Sequence, residues 1–107
     1  MTEIKFDSKS LKVTIKGHAM SDEAGKDLVC AAVSALTYTL AENIEAYSSL
    51  VDEIKAQIRL DNGDAEISVA EYPEDIGSIL RTTFTAICVG FDKLARTYPE
   101  NVKYTLA

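Results

Sequence analysis

The segment Ile54–Ala70, with the sequence "IKAQIRLDNGDAEISVA", decides the fold class of this chain. Apolar and polar residues alternate on both sides of "DNGD", as they do in two half-buried β-strands. Asn62 and Gly63 can adopt the two positive φ angles of a type I′ turn, which joins antiparallel strands closely. We therefore predict a β-hairpin here, with one of its faces packed against the rest of the protein.

A second hairpin is predicted at the start of the chain. Ile4 and Phe6 alternate with polar residues, "DSKS" is typical of a turn, and "LKVTIK" alternates again as far as Gly17. The only histidine, His18, then follows at the end of a strand, where loops and functional sites are common.

Two helices separate and follow the hairpins. We predict that the first begins with Asp27 as its N-cap, because a carboxylate there can accept hydrogen bonds from the free N–H groups of the first turn. Its apolar residues have helical spacing: Val29, Val33, Leu36, Leu40 and Ile44. The second helix opens at Pro73 and Glu74. Its apolar face contains Ile76, Leu80, Phe84, Ile87, Phe91 and Leu94. A short strand, "VKYTL", ends the order ββαββαβ.

This order predicts a two-layer α+β sandwich. Hairpins are antiparallel and each strand–helix–strand step is a right-handed crossover, so the sheet is mixed. Both helices have one apolar stripe and should cover the same sheet face. The other face is polar and meets water or a partner subunit, with Lys12, Thr14, Lys16, Gln57, Arg59, Glu66 and Ser68 on it.

Composition favours one globular domain over residues 1–107, with 47% hydrophobic and 26% charged residues. No apolar run approaches the roughly 20 residues of a membrane span, and the charged start "MTEIKFDSKS" is unlike a secretory signal, so we expect a cytoplasmic protein. The net charge of −6 argues against direct binding of nucleic acid. An acidic surface serves solubility or attracts a basic partner.

The stretch Gly17–Cys30, "GHAMSDEAGKDLVC", brings a histidine and a cysteine close in sequence. A cysteine attacks as its thiolate, which the first turn of a helix and a nearby imidazolium both stabilise. N-terminal amides of that helix could also bind an oxyanion. The acidic loop Ala19–Lys26, with Gly25 as a hinge, could close over a peptide.

A simpler interpretation is an ordinary connection between a strand and a helix. Cys30 could be a packing residue, and Ser34, one turn later, could bond near the thiol or simply pack. Asp27 could orient His18 instead of capping the helix. Cys88 lies in the middle of the second helix and is predicted to be packing. The chain has no ligand set for zinc, and we expect neither metal nor cofactor.

The residues around His18 and Cys30 resemble a known family. "GHA" followed by "GKDLVCAAVSAL" is similar to the motif of the ribosomal-processing cysteine protease family Prp, and the similarity extends to "LARTYPENV". The resemblance implies that Cys30 is the nucleophile and His18 the general base. It places Asp27 and Ser34 in supporting positions and makes Gly17 and Gly25 candidates for the oxyanion site or the loop.

The resemblance also implies a substrate and an assembly. The family removes the N-terminal extension of large-subunit ribosomal protein twenty-seven, a peptide with an apolar and aromatic motif and with lysines near the cut. An acidic enzyme suits that peptide, and a homodimer is expected. Two other functions stay open: a ribosome-associated binding domain without catalysis, and a thiol redox protein that uses Cys30 without a peptide pocket. A redox protein usually has a resolving cysteine nearby, whereas Cys88 is distant in the sequence.

Overall fold

A computed structural model describes residues 1–18 and 24–107, with the side chains of residues 24–27 outside the described part. It confirms the α+β class and the order ββαββαβ. The elements are β1 (Thr2–Asp7), β2 (Lys12–Lys16), α1 (Ala24–Leu50), β3 (Lys55–Asp61), β4 (Asp64–Glu71), a short 3₁₀ turn (Glu74–Ile76), α2 (Gly77–Thr97) and β5 (Val102–Leu106).

The five strands form one mixed sheet in the order β3-β4-β2-β1-β5. β1 is parallel to β5, whereas the pairs β1–β2, β2–β4 and β3–β4 are antiparallel. The two predicted hairpins therefore lie side by side through β2 and β4. β3 and β5 form the two edges of the sheet.

The core lies between one face of this sheet and the two helices. Alternate strand residues such as Ile4, Val13 and Ile67 are fully buried there. The rings of Phe6 on β1 and Phe84 on α2 stack with their centroids 5.8 Å apart. Because a buried Phe contributes about 1.5–3 kcal/mol in transfer free energy, these contacts fix the helices on the sheet. α1 packs against β3 and α2 against β5.

The start of α1 differs from the prediction. The helix begins at Ala24, so Asp27 is its fourth residue and not the N-cap. Alanine and lysine are among the best helix formers, and Ala24 and Lys26 extend the helix beyond the predicted start. Cys30 is consequently the seventh residue of α1, outside its first turn.

The turn between β3 and β4 also differs from the prediction. Gly63 has a φ of +73°, but the φ angle of Asn62 is negative, so the turn is not type I′. A φ near +80° at the second central residue alone is the pattern of a type II turn. The carbonyl of Gly63 accepts a hydrogen bond from the N–H of Gly17 at 2.9 Å. The neighbouring strand therefore contributes to the shape of this turn.

The polar face of the sheet is exposed at most of its predicted positions. Ser68 is an exception, since its exposed fraction is only 7%. Its cross-strand neighbours are Lys12 and Gln57, whose longer side chains flank it. No helix within residues 1–18 and 24–107 is long and apolar enough to cross a bilayer.

Candidate active site

A cleft of about 420 Å³ opens at the end of the sheet where β2 finishes and the β3–β4 turn begins. The early turns of α1 form its opposite wall. Four predicted site residues border this cleft: Gly17, His18, Cys30 and Ser34. The other two, Gly25 and Asp27, belong to the first turn of α1. The side chains of this turn are outside the described part of the structure, and so are the predicted roles of these two residues.

His18 directly follows β2 and rests on the β3–β4 turn. A Cβ built on Gly63 would overlap Nε2 of its imidazole and would lie 2.8 Å from Cε1. The backbone is held as well, because the carbonyl of His18 accepts a hydrogen bond from the α-amino group of Met1 at 2.9 Å. Any residue other than glycine at position 63 would therefore clash with the imidazole of His18.

Gly17 has a structural role in the same place. Its φ of +89° is strained for any residue with a side chain, and a Cβ there would overlap the carbonyl oxygen of Met1. Its N–H already donates to Gly63, so it has no free hydrogen to offer a substrate. Gly17 was a candidate either for the oxyanion site or for the loop, and this geometry favours the loop.

Cys30 is half-buried on the flank of α1, one turn before Ser34. At the seventh helical position its backbone N–H falls within the i to i−4 bonding pattern of the helix. The stabilisation of an anion by a helix N-terminus fades beyond the first turn, so this effect is weaker at Cys30 than the sequence suggested. His18 borders the same cleft as Cys30.

Comparison with known proteins shows the family of this chain. A family model described as cysteine protease Prp matches residues 1–103. The chain belongs to this family. It is therefore a cysteine protease, a hydrolase of peptide bonds. No curated protein matches the sequence.

Solved structures agree with the Prp fold. SMU.848 from Streptococcus mutans is 29% identical with a TM-score of 0.69, over 98% of this chain and 90% of that one. The essential ribosomal processing protease Prp from S. aureus with a covalently linked product peptide is 21% identical, with a TM-score of 0.73. The same protease with a substrate peptide is 20% identical, with a TM-score of 0.72. Both of these alignments cover 99% of this chain and 97% of the other.

The cleft of this Prp family member also contains residues that the sequence analysis did not single out. Tyr38 and Leu60 are large apolar side chains with exposed fractions of 57% and 44%. They border the cleft on opposite sides, one on α1 and one on β3. Exposed apolar groups gathered at a cleft are typical of a ligand-binding surface.

The β3–β4 turn adds charge to the rim of the cleft. Arg59 forms ion pairs with Asp61 at 3.3 Å and with Asp64 at 2.9 Å. Its hydrogen bond holds the pKa of the Asp64 carboxyl below the usual range. Asp61 and Asp64 border the cleft whereas Arg59 does not, so the turn presents carboxylates to it. These favour cationic groups on a bound peptide.

Cys88 lies in a different part of the protein. It is buried between α2 and β5 and borders a separate cleft with Tyr104. Burial raises the pKa of its thiol to about 11, although a hydrogen bond with Tyr104 acts in the opposite direction. These observations agree with the predicted packing role, and they do not favour Cys88 as a redox partner for Cys30.

The two thiols should therefore react very differently with an alkylating probe. We expect iodoacetamide near neutral pH to modify Cys30 in the folded protein and to leave Cys88 unmodified. Cys88 is buried, and its raised pKa leaves almost no thiolate to react. Peptide mapping by mass spectrometry measures the two rates, and unfolding in urea should make them similar. Equal rates in the folded protein would contradict the assignment of Cys30 as the accessible thiol.

Proposed function

We propose that this protein is the cysteine endopeptidase that removes the N-terminal extension of large-subunit ribosomal protein twenty-seven. Cys30 is the nucleophile and His18 the general base. The observation that carries the proposal is that these two side chains border one cleft in a member of the Prp family. The S. aureus relative of the same fold is an essential ribosomal processing protease seen with a substrate peptide.

The reaction proceeds in two steps. The Sγ atom of Cys30 attacks the carbonyl carbon of the scissile bond, and its proton passes to the imidazole of His18. His18 then gives that proton to the leaving amine, the C–N bond breaks, and the N-terminal fragment remains on Cys30 as a thioester. Water, deprotonated by His18, hydrolyses the thioester and restores the thiol. The covalently linked product peptide in the S. aureus protease supports a covalent route.

The oxyanion of each tetrahedral intermediate needs backbone donors. The N–H of Gly17 is already bonded, which leaves the first turn of α1, including Gly25, as the proposed source. Free N–H groups are a property of such a first turn. Ser34 borders the cleft one turn after Cys30 and is proposed to support the thiol, while Asp27 is proposed to support His18.

The chemistry of the cleft suits the proposed peptide. Tyr38 and Leu60 offer apolar surface for the apolar and aromatic motif before the cut. Asp61 and Asp64 offer negative charge for the lysines near it.

The proposal includes a homodimer and a cytoplasmic site of action, where ribosomes assemble. Light scattering during gel filtration would test the dimer, and a monomeric mass at working concentration would contradict it.

Direct digestion tests the proposed function. The purified protein is incubated with the extended ribosomal protein from the same organism, and the new N-terminus is identified by mass spectrometry. We expect one cut that releases the extension, because one cleft binds one extended segment. The same ribosomal protein without its extension is the control and should stay intact. Tight binding without any cut would favour the alternative, a ribosome-associated binding domain.

A further inference from the structure

The edge of the sheet at β3 has backbone groups that no strand within residues 1–18 and 24–107 uses. β3 is the first strand in the sheet order, and among these residues it is paired with β4 alone. The carbonyl of Gly63 accepts a hydrogen bond from Gly17, and the N–H of Val69 donates one to Leu11. The backbone N–H and C=O groups of the odd-numbered residues of β4 therefore point towards β2. The even-numbered residues of β4 consequently bond to β3.

The register then identifies the free groups on β3. Three residues of β3 lie opposite even-numbered residues of β4 and use their backbone groups for hydrogen bonds within the hairpin. The pairs are Asp61 with Asp64, Arg59 with Glu66, and Gln57 with Ser68. The N–H and C=O groups of the intervening residues point away from the sheet. These residues are Ala56, Ile58 and Leu60.

This free edge is regular where it reaches the cleft. The ladder has a register shift between Lys55 and Ala56, at the end of β3 distant from the turn. From Ala56 to Asp61 the pairing continues without interruption. Bulges, prolines, short strands and charged side chains normally protect an edge from a further strand. This part of β3 has no bulge and no proline, and its charged residues are Arg59 and Asp61. Its last two residues, Leu60 and Asp61, border the same cleft as Cys30.

We propose that the substrate peptide binds as an additional strand along the free edge of β3, with backbone hydrogen bonds to Leu60 and Ile58. The inference rests on the proposed function, since it concerns the same cleft and the same peptide. An extended peptide presents its own N–H and C=O groups at the spacing that an edge strand requires. Alternate side chains of the peptide then point towards the apolar wall of Leu60 and Tyr38, and the others towards Arg59 and Asp61.

This arrangement explains how the cleft can hold a flexible peptide for hydrolysis. Strand addition fixes the peptide backbone in an extended form and brings its next residues past the β3–β4 turn towards Cys30. Hydrogen bonds to the main chain supply affinity whatever the peptide sequence, and the alternating side chains supply selectivity. The occupant is a peptide substrate and not a second copy of this chain, because the edge ends inside the hydrolytic cleft.

A proline substitution on β3 tests the proposal. Leu60→Pro removes an N–H that β4 does not use and places a ring where the peptide would bind, while proline is tolerated at a sheet edge. In the Cys30→Ala background, we expect the dissociation constant for a fluorescent peptide of the N-terminal extension to rise about tenfold, as for the loss of one or two hydrogen bonds. Leu60→Ala in the same background removes the side chain but keeps the N–H. It should therefore raise the dissociation constant less than Leu60→Pro does.

The opposite edge offers a matched control. Leu106 is an exposed leucine in the last position of β5, and its N–H points away from β1, since the next residue, Ala107, donates to Phe6. Leu106→Pro should leave the dissociation constant unchanged. Circular dichroism melting of both proline variants shows whether each is folded at the assay temperature.

Methylated peptides give a second, independent measurement. Peptides that carry a single N-methyl group at successive positions should lose affinity for the Cys30→Ala variant at every second position, because alternate N–H groups of a strand face its neighbour. Affinity that falls without this period, or a Leu60→Pro variant that binds as tightly as its parent, would overturn strand addition. Failure of the proposed function is a different result: the wild-type protein would leave the extended ribosomal protein uncut.

Discussion

Cys30→Ala is expected to abolish the cleavage of the extended ribosomal protein and to leave the fold intact. The substitution removes the Sγ atom that is proposed to form the covalent bond, and the other thiol, Cys88, lies in a separate cleft. Loss of a nucleophile lowers kcat by about 10⁴-fold or more in enzymes of this kind. Cys30 is half-buried on the flank of α1, so the melting temperature should change little. Digestion followed by mass spectrometry measures the rate.

Cys88→Ala is the matched control for this experiment. The same atoms are removed from a side chain with an exposed fraction of 2%, so the free energy of unfolding should fall by about 1 kcal/mol or more. Cleavage should continue at the wild-type rate below the melting temperature. If Cys30→Ala cleaves normally, or if Cys88→Ala is the inactive variant, the assignment of the nucleophile is wrong.

Gly63→Ala is expected to produce the second largest loss of activity, at a residue that does not take part in the chemistry. The new Cβ would overlap Nε2 of His18, so the imidazole has to move away from its position in the cleft. A displacement of about 1 Å at a catalytic group can reduce the rate by about 10²-fold. We expect this reduction in kcat, with a smaller change in KM, measured on the same substrate.

Two variants separate this effect from backbone strain at the turn. Alanine at a φ of +73° costs about 1–2 kcal/mol of stability, whereas asparagine tolerates that angle but still carries a Cβ. Gly63→Asn should therefore be nearly as stable as the wild type and nearly as inactive as Gly63→Ala. In the His18→Ala background, Gly63→Ala should cost little further activity. Full activity in Gly63→Asn would show that Gly63 does not position His18.

The sequence was sufficient to predict the elements with a clear apolar period. Both hairpins and both helices follow from alternation or helical spacing, which depend only on neighbouring residues. The mixed sheet then follows because hairpins join antiparallel strands and strand–helix–strand crossovers join parallel ones. The start of α1 was misplaced because Asp27 has the chemistry of a cap, although the residues before it also form helix readily.

The sequence singled out candidate site residues only where they lie close together in it. His18, Cys30 and Ser34 fall within a single short motif, and all three border the cleft. The contact between His18 and Gly63 joins residues from different hairpins, and it depends on a pairing of strands that no local pattern reveals. The "DNGD" turn could have drawn attention to Gly63, but as a hairpin residue and not as the support for an imidazole.

The pairing of β1 with β5 has a consequence for the support of the cleft. Thr2 borders the cleft, and its N–H donates to Asn101 at 2.8 Å next to its partner Val102. The strand that follows both helices therefore stabilises the start of β1. In this way the part of the chain after α2 supports a site whose proposed catalytic residues all come before the middle of α1.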